Sequence, residues 1–179
     1  MSRRTLLSIL VPLVLLGAYF VVTTWVRAHV DALIQHAVGQ PLPPFGLTDG
    51  AGKQWSLADL RGQRAVLHFF RSRCHVCELE AAAVRELEGN LPPDVVLLHV
   101  MTDAVLKFPA EETAKAIASK HYARPILMAD ATFVDAFHKV SWSNVTPVTY
   151  VVDAQGVVRY GLRGAQTRAV IEQALAAVK

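Results

Sequence analysis

The sequence predicts an α/β fold, with a central sheet parallel in part and antiparallel at one edge, behind a single apolar N-terminal helix. Three observations carry this. The stretch from Leu6 to Val26 holds no charged residue. Apolar runs of strand length then alternate with segments of helical period. After Pro147 two β-rich runs flank Asp153-Ala154-Gln155-Gly156, a hairpin turn signal.

The uncharged run is about 21 residues, long enough to cross a bilayer as a helix, with Pro12 and Gly17 tolerable inside it. It ends Thr23-Thr24-Trp25-Val26-Arg27, with an interfacial aromatic and no small-x-small cleavage pattern, so an uncleaved anchor over 1–26 is favoured over a removed signal. Arg3 and Arg4 precede the span, which puts the N-terminus in the cytoplasm and the remainder outside the membrane. Val30, Leu33, Ile34, Ala37 and Val38 continue a helical period, so a juxtamembrane stalk and linker is expected over 27–43, closed by Gly39, Pro41 and Pro43. A globular domain is expected over 44–179.

Within that domain, Phe45-Gly46-Leu47 and Lys53-Gln54-Trp55 flank a turn-rich segment and read as a hairpin, followed by one helical turn over 56–60. A strand is expected over 64–70, then a helix to about Asn90 on the period of Val76, Leu79, Ala83 and Leu87. A strand over 94–101 and a helix over 109–121 follow, with Glu111 and Lys115 at the favourable i,i+4 spacing. Next come a short strand over 125–128 and a short helix over 131–139. Strands over 148–152 and 157–160 and a helix over 166–178 complete the chain.

Both cysteines of the chain lie in Cys74-His75-Val76-Cys77, where the strand over 64–70 gives way to the helix. Residues three apart share a helix face, so a reversible disulfide is sterically available. The free N–H groups and positive dipole end of a first helical turn stabilise a thiolate, the attacking form. Cys74 is therefore the expected nucleophile, and Cys77, one turn further in, the resolving thiol. Half of a zinc site is the competing account, but four ligands are needed and there is no second CxxC or ordered His pair; His68, His75, His99 and His138 are scattered. An extracytoplasmic CxxC also closes too small a loop to brace a domain of this size, which favours a catalytic dithiol.

The chain has 179 residues, 53% of them hydrophobic, with a formal charge of +3 and a pI near 9.0. No basic run or basic-aromatic interleaving accompanies that charge, so a nucleic-acid partner is not expected. Mild basicity suits residence near an anionic membrane surface.

Several segments together resemble the thioredoxin fold, and within it the membrane-anchored TlpA/ResA/DsbE-like thiol-disulfide oxidoreductases. They are Pro44-Phe45-Gly46-Leu47 with Asp49 and Gly52-Lys53, Ser56-Leu57-Ala58-Asp59-Leu60-Arg61-Gly62, and Phe69-Phe70 running into Cys74 and Cys77. Asn144-Val145-Thr146-Pro147 and Val151-Val152-Asp153-Ala154-Gln155-Gly156 complete the set, which spans about residues 41–165. The resemblance implies exchange between a Cys74-Cys77 dithiol and protein thiol or disulfide substrates. It further implies a cis bond at Thr146-Pro147 that offers backbone to a substrate chain, and a proton-transfer role for Glu80. No cofactor beyond the redox disulfide and no metal is expected. A thiol-type electron-transfer partner in the membrane is implied, on the periplasmic side of a bacterial cytoplasmic membrane.

Arg73 and Val76 depart from the Trp and Pro usual in the family, which bears on substrate range. His68 stands where thioredoxins keep a buried acid; it is either a proton relay to Cys77 or a satisfied core histidine. His75, with Arg71 and Arg73 nearby, should lower the pKa of Cys74 and make the couple more oxidising. A peroxidase of the same fold would carry Thr where Arg71 stands. A copper-delivering redoxin, with His99 or His138 beside the thiolates, is the alternative of a different class, though such relatives space their cysteines by three residues rather than two.

Overall fold

The computed structural model describes residues 3–138 and 145–178. Contacts divide the chain into two compact units, Met1–Ala32 and Leu33–Lys179. The last residue of the helix expected over 131–139, and Asn144 of the 144–147 motif, lie outside the described residues.

Helix α1 (Arg3–His36) supplies all of the first unit that is described. Its stretch Leu7–His36 is the one helix among the described residues long and apolar enough to cross a membrane. The hydroxyls of Thr23 and Thr24 donate back to the carbonyls of Tyr19 and Phe20 at 2.9 and 2.8 Å, so neither is left unpaired in an apolar span. Trp25 stacks on His29 one turn later, at the polar end of the run.

The second unit is built on a five-stranded sheet. In chain order its elements are β1 (Gly46–Thr48), β2 (Gln54–Ser56), a 3-10 turn (Leu57–Leu60), β3 (Arg64–Phe70), α2 (His75–Glu88) and β4 (Val95–Met101). Then follow α3 (Ala110–Lys120), β5 (Ile126–Met128), α4 (Ala131–Asp135), β6 (Val148–Val152), β7 (Val158–Arg163) and α5 (Arg168–Ala176). The strand order is β5-β4-β3-β6-β7, with β1 and β2 forming a separate hairpin. β3 pairs parallel with β4 and antiparallel with β6, so the expected mixed sheet is present.

β3 is buried on both faces, as its near-continuous apolar sequence demands. On one face Val66 joins Leu87 of α2 and Ile171 and Leu175 of α5 in a core cluster. Phe70, on the same face, packs with Cys74, Cys77 and Met101. On the other face Phe69 meets Phe133, Phe137 and Tyr150. Residues two apart on a strand share a face, so His68 lies between Val66 and Phe70 and is turned toward α2.

The stretch expected as stalk and linker over 27–43 includes residues of the second unit that pack and pair within it. Ile34, Ala37 and Leu42 are buried, and the N–H groups of Gly39 and Leu42 donate to Val158 and Gly156 carbonyls at 2.7 and 2.8 Å. The physical reason is the edge strand β7, whose free backbone groups attract a partner. One expectation needs revision: on α2, Val76 and Leu79, whose helical period predicts an inward stripe, are 41% and 65% exposed, while Cys77, Glu80, Ala81, Val84, Leu87 and Glu88 are buried. Two carboxylates occupy positions where apolar side chains are the rule, and the sheet beneath explains why.

Candidate active site

β3 ends at Phe70, and three residues turn the chain into α2. The middle one, Ser72, is held from below: Asp103, fully buried after β4, accepts from the Ser72 N–H at 2.8 Å, from the Ser72 hydroxyl, and from Thr113 Oγ1 at 2.7 Å. Arg73 then takes a left-handed φ of 52°, unusual for a side chain with a Cβ. Its guanidinium reaches outward to Glu112 at 2.7 and 2.5 Å and lies over the Phe108 ring.

Cys74 follows as the N-cap of α2, its Sγ accepting from the Cys77 N–H at 3.1 Å. The two cysteines form a disulfide with Cα atoms 5.2 Å apart. Cys74 keeps 6% of its surface accessible and Cys77 none. Across from them the Thr146-Pro147 bond is cis, as the family resemblance implied. The Thr146 carbonyl oxygen lies 3.7 Å from Cys74 Sγ, and the Thr146 hydroxyl donates to the same sulfur at 3.6 Å while accepting from Arg71 Nε at 3.0 Å. Arg71 also donates to the Ser72 and Arg73 carbonyls, which ties the cysteine loop to the proline loop.

Under the dithiol helix lies a buried polar string. Glu80, one turn beyond Cys77, accepts from the Gln166 N–H at 2.9 Å and meets His68 Nε2 at 3.2 Å. His68 Nδ1 is 3.0 Å from Nδ1 of His99, its register partner on β4. His99 Nε2 is 2.8 Å from Glu88, which also accepts from the Ala123 and Arg124 N–H groups. All four side chains are buried. Burial pushes His99 down to about 4, against the opposing pull of Glu88. For Glu88 burial acts upward, but His99 and the two backbone donors outweigh it and hold the carboxyl below its ordinary value. Burial also raises the Tyr122 phenol, whose ring stacks on His99 at 4.0 Å.

The structure therefore brings together Cys74, Cys77 and Thr146, which leads into the cis Pro147, and pairs Glu80, one turn beyond Cys77 on α2, with His68. His75 is exposed on the first turn of α2. Glu80 is buried and paired with His68, so it is not a solvated helix charge. His99 has both ring nitrogens engaged within the string, and His138 lies across the sheet, 3.2 Å from the Tyr150 hydroxyl. Among the described residues no three His, Cys, Asp or Glu side chains converge on a metal-sized point.

The sequence places His99 near the thiolates only as a possible copper ligand and gives Asp103 and Glu88 no part in the site. A signal for two of them was present: Leu67-His68-Phe69 and Leu98-His99-Val100 put a histidine at the same place in two consecutive apolar runs, and Glu80 and Glu88 stand two helical turns apart.

The chain is 28% identical over 143 residues to a thiol-disulfide oxidoreductase ResA of Geobacillus kaustophilus, covering 80% of this chain and 79% of that protein. It is 26% identical over 137 residues to the thioredoxin-like protein YneN of Bacillus subtilis, covering 76% and 78%. A thiol:disulfide interchange protein of the thioredoxin family from Chlorobium tepidum superposes with a TM-score of 0.64 at 20% identity, over 78% of this chain and 96% of that one. A DsbF homologue from Corynebacterium diphtheriae gives 0.65 at 15% identity, over 77% and 86%. These likenesses establish the thioredoxin fold. The AhpC/TSA family model matches residues 38–161, well over half of the sequence, and the chain belongs to that family of thioredoxin-like proteins.

Proposed function

We propose that the chain is a membrane-anchored thiol-disulfide oxidoreductase that exchanges its Cys74–Cys77 disulfide with protein thiols on the extracytoplasmic face of a bacterial cytoplasmic membrane. The observation that carries this reading is the disulfide at the N-cap of α2, facing the cis Thr146-Pro147 bond. Cys74 is the attacking sulfur: it retains the accessible surface and receives the Cys77 N–H, a donor that favours its thiolate. Cys74 thiolate attacks a client disulfide and forms a mixed disulfide. Cys77 then attacks Cys74 Sγ, re-forms the internal bond and releases the client as a thiol. An extended client segment would lie beside Thr146, whose carbonyl oxygen is 3.7 Å from the reacting sulfur. A membrane donor of thiol type would return the pair to the reduced state. Arg3 and Arg4 ahead of the apolar span support an extracytoplasmic placement.

Insulin reduction by the full-length protein in detergent tests the activity, and Cys77→Ser tests the assignment of roles. The variant is expected to accumulate a mixed disulfide through Cys74. Trapping through Cys77 in a Cys74→Ser variant instead would reverse the two roles.

A further inference from the structure

Arg71 stands between the two loops that meet at the reactive sulfur. Its Nε–H donates to the Thr146 hydroxyl at 3.0 Å, and Nη1 donates to the Ser72 and Arg73 carbonyls, each at 3.1 Å. The Thr146 hydroxyl donates in turn to Cys74 Sγ at 3.6 Å. Partial burial lowers the Arg71 guanidinium from its ordinary value, against the pull of Asp103, yet an arginine keeps its charge at every working pH.

Donor counting fixes the direction of these links. A hydroxyl has one proton and two lone pairs, whereas a guanidinium N–H can only donate. With one lone pair taken by Arg71, the Thr146 proton points elsewhere, and Cys74 Sγ accepts it. A hydroxyl that accepts from a cation is polarised and donates more strongly. A disulfide sulfur is a weak acceptor and a thiolate a strong one, so the link is worth most when Cys74 is ionised. The Thr146 carbonyl, 3.7 Å from the same sulfur, can only accept and so favours the protonated thiol. Thr146 thus presents one group for each protonation state, and Arg71 holds the one that serves the thiolate. The other charges nearby are committed or exposed. Arg73 is held by Glu112, Glu78 pairs with Lys120, Glu80 is turned to His68, and His75 faces solvent. Asp103, fully buried behind Ser72, sets a negative charge against that of Arg71, so the field of the guanidinium at Cys74 is offset while the directional hydroxyl link is not.

We propose that Arg71 is a positioning residue for the Cys74 thiolate, acting through the Thr146 hydroxyl rather than through its charge in space. This rests on the oxidoreductase reading above. When Cys74 attacks a client disulfide, the link raises the share of sulfur present as the reactive thiolate. When the protein is reduced again by a dithiol donor, the donor's second thiolate attacks the donor sulfur bound to Cys74. The mixed S–S bond breaks, its electron pair leaves on Cys74 Sγ, and the donor closes its own disulfide. The same hydroxyl then stabilises Cys74 as the leaving group, so Arg71 serves both directions of exchange without touching a sulfur.

Alkylation of the reduced full-length protein in detergent by iodoacetamide, followed against pH, reads the titration midpoint of Cys74, because Cys77 has no exposed surface. Thr146→Val removes the hydroxyl at nearly constant shape, and the midpoint is expected to rise by about one pH unit. Arg71→Met removes the charge and every donor; a rise of about half a unit is expected, since the hydroxyl remains but is neither held nor polarised. Arg71→Lys keeps the charge and a donor for the Ser72 and Arg73 carbonyls, but puts a methylene where Nε–H met the hydroxyl, so it should shift as Arg71→Met does. In a Thr146→Val background neither Arg71 substitution should move the midpoint further. An unshifted midpoint in any of the three single variants, or an Arg71 shift that persists in Thr146→Val, would overturn the proposal. If Arg71→Met fails to fold, the lysine variant completes the cycle alone. Insulin reduction keeps the two readings apart. Absence of turnover by wild type and of a mixed disulfide in Cys77→Ser would remove the oxidoreductase reading, whereas an active wild type with unshifted Arg71 variants removes only the role of Arg71.

Discussion

Asp103 holds the turn that presents Cys74, and its replacement by alanine should both destabilise the globular unit and loosen the site. The carboxylate is fully buried and accepts from the Ser72 N–H, the Ser72 hydroxyl and the Thr113 hydroxyl. Thr113 has a second acceptor, the Pro109 carbonyl at 3.3 Å, to which its proton can turn. The two Ser72 donors are then left without this partner. Hydrogen bonds to charged groups contribute ~1.5–3 kcal/mol each. Part of that is offset because a buried charge no longer has to be desolvated. The net loss for Asp103→Ala is about 3 kcal/mol by this reckoning. Asp103→Asn keeps an acceptor for the Ser72 N–H, and both hydroxyls can reverse toward its amide, so it should cost only about 1 kcal/mol. Urea unfolding in detergent, followed by near-ultraviolet circular dichroism of the buried aromatics, measures both, and the exchange rate should fall in the same order. An Asp103→Ala protein within ~0.5 kcal/mol of wild type, the ordinary range for surface substitutions, would refute the reasoning. So would an asparagine variant as damaged as the alanine one.

Cys74 in the reduced protein should titrate below the ~8.5 of a free thiol, since it caps α2 and has His75 beside it; thiolate absorbance against pH measures this, and a value near the free one would sink the expectation. Arg73 should contribute little to that shift, because Glu112 already holds its guanidinium, so Arg73→Gln should leave the titration nearly unchanged. Acid should destabilise the fold between about pH 6.5 and 4. His99 and His138 are each pushed down to about 4 by burial, so in that window the unfolded chain binds protons that the folded one refuses. Stability is then full above the window and lost on descending through it, on the order of 3 kcal/mol per histidine; unfolding midpoints that stay flat over this range would contradict the assignment. Gly161→Ala should cost about 1–3 kcal/mol, because a Cβ there would come within 2.7 Å of Ile34 Cγ2 and 3.1 Å of the Tyr150 ring, and thermal unfolding checks it.

Strand and helix order was legible because each element of the sheet carries its own period. Ala65 to Phe70 and Val95 to Met101 are apolar runs each broken by a single histidine, the pattern of strands buried on both faces. The Cys74–Cys77 placement was legible for the same reason, since a strand ending against a helix start fixes where the motif must sit. The inner face of α2 was not. Periodicity assigns apolar residues inward, yet here two histidines on the sheet require carboxylates above them, and that requirement becomes visible only once β3 and β4 are known to pair His68 with His99. Asp103 was hidden likewise: its three donors come from residues 72 and 113, and only the fold brings them together.

The pinning of residues 39–42 onto β7 has a counterpart at the opposite margin of the sheet, where Asp49 bridges Leu127 of β5. Open strand edges are templates for pairing between molecules. A protein held to a surface meets its own copies far more often than one dissolved in bulk, so a naked margin would invite lateral stacking into ribbons. With one margin taken by the chain that enters the domain and the other touched by its first hairpin, neighbouring copies find little backbone to add to.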